Sequence, residues 1–107
     1  MNKFMRLKRW QEFKRLASDF RPDSIVYRIE QSGLSPTREL TCLRLIMSTQ
    51  NAYCVFIDFP KGQALRETGI PLRKDKIGNH FIEENDVRSF LKNQLGEHLN
   101  IYSYWTI

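Results

Sequence analysis

Three successive stretches alternate apolar and mixed residues with a period of two, and nothing else in the chain restricts its fold as much. Residues 25–31 set Ile25, Tyr27 and Ile29 against Val26, Arg28 and Glu30. Residues 41–48 set Leu43, Leu45 and Met47 against Cys42, Arg44 and Ile46. Residues 53–59 set Tyr53, Val55, Ile57 and Phe59 against Cys54, Phe56 and Asp58. Side chains of a strand point alternately to its two faces, so each stretch builds a strand with one strongly apolar face. The connections at 32–40 and 48–52 are polar and carry turn residues. The pattern predicts an antiparallel meander. Pairing Met47 with Tyr53 would set Arg44 opposite Phe56, Ile46 opposite Cys54 and Cys42 opposite Asp58.

An apolar sheet face needs a cover, and two amphipathic segments can supply one. Residues 4–20 read as a helix, with Leu7, Trp10, Phe13, Leu16, Ala17 and Phe20 on one side at 100° per residue. Arg21 precedes Pro22, which disfavours helix there and ends the segment. A second helix is expected near 85–95. Glu83, Glu84 and Asp86 suit its N-terminal dipole, Val87, Phe90, Leu91 and Leu95 form its stripe, and Gly96 follows its end. Residues 99–107 alternate again, with Leu99, Ile101 and Trp105 on the apolar side and Tyr102 and Tyr104 on the other. Residues 60–83 are irregular: a helical turn at 64–68 closed by Gly69, then a hairpin from 70–73 and 80–82. The order is α-β-β-β-irregular-α-β. The fold class is therefore α+β, a two-layer sandwich. An antiparallel sheet of four to five strands carries both helices on one face.

The chain has 107 residues, one domain by length. Its 41% hydrophobic and 27% charged residues suit one core and are unlike a disordered chain. No apolar run approaches the roughly 20 residues that span a bilayer. The basic start lacks the apolar stretch of a secretory signal. Reading it as an organelle presequence would remove a helix the sheet needs. The expectation is a cytoplasmic protein with no membrane contact, whose Cys42 and Cys54 are reduced.

Charge is unevenly placed. Of the net +5, residues 1–21 carry seven basic against two acidic residues, and the remainder carries ten of each. Such asymmetry points to an anionic partner. Lys8 with Glu12 and Arg15 with Asp19 have the spacing of helical ion pairs, leaving Lys3, Arg6, Arg9, Lys14 and Arg21 around the apolar stripe. Arg73, Lys74 and Lys76 form a second basic cluster at the hairpin tip, which its lone Asp75 does not neutralise.

Signals for catalysis are absent. Phosphate-loop, dinucleotide, zincin and nucleophile-elbow motifs do not occur. His80 and His98 have no companion at ligand spacing, and two cysteines without C-x-x-C spacing are too few for zinc. The reading is non-enzymatic, with no metal and no cofactor. Gly69-Ile70-Pro71-Leu72-Arg73 and the segment from His80 to Leu91 are similar to the wing-and-helix end of excisionase-type winged-helix DNA-binding domains. The resemblance covers only a short stretch. The helix-turn-helix that precedes it in that family is replaced here by the strand-like 53–59, so membership is not implied.

One surface remains. With the helices on the apolar side, the opposite face is open and carries Arg28, Arg44, Phe56, Tyr102 and Tyr104. Arginine planes and aromatic rings stack nucleic-acid bases. The leading expectation is a small basic protein that binds single-stranded DNA or RNA there, with Arg6, Arg9, Lys14, Arg73, Lys74 and Lys76 adding sequence-independent attraction. The alternative is an interaction or assembly subunit whose open face meets a partner or a second copy in a homodimer.

Overall fold

The meander forms as β2 (Ser24–Ser32), β3 (Glu39–Ser48) and β4 (Tyr53–Pro60), antiparallel in that order. The computed structural model describes residues 3–32, 39–48, 53–60 and 63–104. Residues 33–38 and 49–52, and Trp105 with the rest of 105–107, lie outside the described residues, as does the side chain of Tyr53. Before the meander come β1 (Lys3–Leu7) and helix α1 (Trp10–Phe20). After it come a single turn α2 (Gln63–Arg66), a hairpin of β5 (Arg73–Lys74) and β6 (His80–Phe81), helix α3 (Glu84–Leu95) and β7 (Asn100–Ser103). The chain is α+β.

The expected helix over 4–20 is corrected at its start. Residues 3–7 form an edge strand parallel to β4, with Met5 beside Val55 and Leu7 beside Ile57. The spacing from Leu7 to Trp10 fits a helical stripe, but pairing with β4 satisfies that strand's outer backbone groups and buries Leu7 in the core. The helix begins at Trp10, after an extended Arg9. Lys8 is therefore outside it and is no helical partner of Glu12. Phe20, expected in the stripe, is exposed. Arg21 closes α1 in the left-handed region (φ 44°), its amide donating to the Ala17 carbonyl at 3.0 Å.

The expected antiparallel sheet is also corrected. Among the described residues the main sheet has five strands in the order β1-β4-β3-β2-β7 and is mixed. Both edge strands run parallel to their neighbours. A helix between two strands of one sheet carries the chain back to its starting end, so the strands it joins run parallel. Here α1 links β1 to β2, and the segment containing α3 links β4 to β7. Only β3 opposes the others.

The β3–β4 register differs from the expected one by two residues. Met47 pairs with Val55, Ile46 with Phe56, Arg44 with Asp58 and Cys42 with Pro60. A slip of two leaves every side chain on its own face, so the apolar pattern does not resolve it.

The apolar faces converge on one core. Ile25, Tyr27, Leu43, Leu45, Met47, Val55, Ile57 and Phe59 are buried together with Trp10, Phe13 and Ala17 of α1 and Val87, Phe90 and Leu91 of α3. Trp10 joins the layers: it stacks on Phe13 (5.7 Å between centroids), meets Phe59 edge-on (6.1 Å) and lies 5.2 Å from Phe90. Tyr27 ties α3 to the sheet. Its hydroxyl donates to Glu84 at 3.0 Å, and the Arg88 guanidinium lies 5.7 Å over its ring. Burial pushes the Tyr27 hydroxyl pKa above its ordinary value, and the Glu84 hydrogen bond adds to that while Arg88 opposes it.

Candidate interaction face

Alternation along the meander puts the mixed residues on the side away from the core. Val26, Arg28, Glu30, Cys42, Arg44, Ile46, Cys54, Phe56 and Asp58 are all half-buried, whereas their core-side neighbours in β3 and β4 are almost wholly buried. Uniform partial exposure of this kind is that of a sheet face which no other layer covers among the described residues.

Register arranges the face in rows. One row crosses all five strands: Tyr102, Val26, Ile46, Phe56 and Arg6 are successive cross-strand partners. It is apolar along most of its length and ends in an exposed tyrosine on one side and an exposed arginine on the other. The next row is charged: Arg28, Arg44 and Asp58. On the other side lie Ser48, Cys54 and Phe4, the last 72% exposed at the sheet's edge.

The charged row is internally balanced. Arg28 and Arg44 stand directly opposite, an arrangement that is destabilising for like charges. Each has its own carboxylate. Arg44 donates from Nε to Asp58 Oδ1 at 2.7 Å and from Nη2 to Oδ2 at 3.0 Å, a bidentate pair that raises the arginine's pKa. Arg28 lies 3.5 Å from Glu30. The Arg44 guanidinium also sits 4.7 Å from the Phe56 ring centre, which is cation–π geometry. The stack between Arg44 and Phe56 forms diagonally, although their expected cross-strand pairing does not. Asp58 and Glu30 were not singled out as partners by the sequence pattern. Their place on the mixed face was legible, but their pairing depends on the register.

The remaining basic residues do not gather on this face. Arg6 is at its edge, and Tyr104 follows β7, its amide donating to the Tyr27 carbonyl at 2.7 Å. Lys14 belongs to α1, on the core side of the sheet, and Arg9 is the extended residue just before that helix. Arg73 and Lys74 are in β5, and Lys76 is in the turn that follows. The basic tip is partly neutralised by an acid from α3: Arg73 makes a bidentate pair with Asp86, at 2.7 and 3.1 Å. That pair raises the arginine's pKa and holds the Asp86 carboxyl below its ordinary value. Asp75 instead shapes the turn, accepting the amides of Ile77 and Asn79 at 3.0 and 2.8 Å.

Burial pushes the Cys42 thiol pKa above its ordinary value, and Asp58 and Glu30 add to the shift. Both cysteines are free thiols. Among the described residues no group of three His, Cys, Asp or Glu side chains could hold a metal ion, and no helix is long and apolar enough to cross a membrane. No protein-family model, curated protein or solved structure matches this chain.

Proposed function

We propose that the chain is a cytoplasmic, non-catalytic binding module, a two-layer domain that works through the open face of its sheet, and that the partner there is a second copy of the chain. The row Tyr102–Val26–Ile46–Phe56 carries this reading. It is a continuous apolar band on an otherwise solvated face, and such bands mark interaction sites. The flanking row suits self-association. Arg28 and Arg44 lie beside Glu30 and Asp58, so a two-fold axis through the band can bring each arginine near a partner carboxylate. Two-fold pairs are the commonest closed assemblies.

A second reading is single-stranded DNA or RNA on the same face. The Arg44–Phe56 stack and the exposed Tyr102 and Tyr104 favour it, because bases stack on such groups. Phosphate attraction would then come from Arg6, Arg9, Lys14, Lys74 and Lys76, since Arg28, Arg44 and Arg73 are already paired with acids. That pairing is why the protein partner stands first.

Light scattering on Phe56→Ala and Tyr104→Ala separates the two. Under the first reading the variants lose the dimer mass of the parent. Under the second they keep the parent's mass and lose affinity for a labelled single-stranded oligonucleotide.

A further inference from the structure

A second surface lies at the far end of the sheet, on the side of α3. A groove of about 400 Å³ runs between that helix and β7, lined by Asn85, Arg88, Ser89 and Lys92 on one wall and by 99–102 on the other. The helical residues follow the spacing of a single helix face. The wall contains two cations and no acid. Arg88 and Lys92 are exposed, and neither makes an ion pair among the described residues.

Among the described residues the opposite wall is an unpaired strand edge. β7 is the terminal strand of the sheet. The Asn100 amide donates inward to the Asp23 carbonyl at 3.0 Å, and the Tyr104 amide to the Tyr27 carbonyl at 2.7 Å. Backbone groups alternate in direction along a strand, so the N–H and C=O of Ile101, in the groove wall, and of Ser103, just beyond it, point away from β2 at the sheet's edge. Such groups form a template for one more strand.

We propose that this groove takes up an extended polypeptide segment with acidic side chains, which adds to the sheet beside β7. The Ile101 and Ser103 backbone supplies the ladder hydrogen bonds. Arg88 and Lys92 select glutamate or aspartate on the side of the segment that faces α3. A nucleic acid would meet the two cations but has no donor–acceptor ladder to match the strand, which is why the structure favours a peptide. The inference is independent of what binds the open face.

The test uses the full chain and a fluorescent peptide of alternating valine and glutamate, read by anisotropy, with amide exchange followed by NMR. Expected are binding that weakens as salt rises, slowed exchange at the Ile101 and Ser103 amides, and no binding of the matching valine–lysine peptide. The charge reversals Arg88→Glu and Lys92→Glu should together weaken binding by roughly tenfold or more. Lys92→Glu alone, which leaves the Arg88–Tyr27 contact in place, should weaken it in the same direction. Undiminished binding by both variants would overturn the proposal, as would unslowed exchange at those two amides. So would a labelled single-stranded oligonucleotide that displaces the peptide and binds more tightly, or the absence of peptide binding at low salt.

Discussion

Arg44 and Asp58 are cross-strand partners joined by two hydrogen bonds, and their pairing removes the charge that would otherwise dominate the open face. Without Asp58, Arg44 would stand opposite Arg28 with only Glu30, the partner of Arg28, nearby to offset the two cations. Asp58→Ala should therefore destabilise the fold. The expected loss is about 1 kcal/mol, below the usual range for charged hydrogen bonds because Arg44 remains 36% exposed and water screens the pair. The double variant Asp58→Ala, Arg44→Leu should recover most of that loss, since no charge is then left unpaired. Urea unfolding of the parent, of Asp58→Ala and Arg44→Leu singly, and of the double variant checks this. Losses that simply add would show that the pair is not coupled.

Arg21 closes α1 at φ 44°, a conformation that costs an ordinary L-residue about 1 kcal/mol and glycine nothing. Arg21→Gly should raise stability, by less than about 1 kcal/mol because glycine also frees the unfolded chain. Thermal unfolding reads this as a higher midpoint. A lower one would mean that the arginine side chain contributes more than its backbone strain costs.

Asp86 is held below its ordinary pKa, first by its hydrogen bonds to Arg73. A carboxylate depressed in the folded state stabilises it at pH values above the unfolded carboxylate pKa of about 3.9, and that contribution disappears as pH falls through the folded value. The parent should thus exceed Asp86→Asn in stability near neutral pH, by a small margin because the pair is solvent-exposed. The two should converge in acid. Urea midpoints of both proteins across pH check the sign, and a gap that widens in acid would contradict it.

The meander was legible because three alternating stretches with polar connections admit few other arrangements. Both faces of the sheet were legible for the same reason. The edge strand β1 was not. Its five residues pair with a strand some fifty positions away, and the one side chain buried among those described, Leu7, fits a helical stripe equally well. The parallel edges followed from helical crossovers, which local patterning does not encode.

Much the same holds for the face. Its members Arg28, Arg44, Phe56 and Tyr102 were readable from alternation. The neutralisation of two of them was not, because alternation fixes a face while leaving the register free to slip by two residues. The pairing of Arg73 with Asp86 depends on a hairpin folding back on α3, and no local spacing signals that contact. The cations of the α3–β7 groove were hidden for a related reason: on its own, a helix with Arg88 and Lys92 looks like any solvated helix.

Ile46 lies in the middle of the apolar row, between Val26 and Phe56, and is half-buried, so a lysine there can reach water without disturbing the core. Sedimentation equilibrium of the parent and of Ile46→Lys, with circular dichroism to confirm that both are folded, tests the role of the face most directly. The expected result is a mass of two chains for the parent and of one chain for the variant. A parent that sediments as a single chain, or a folded variant that keeps the mass of two, would contradict the assignment of this face as the dimer interface.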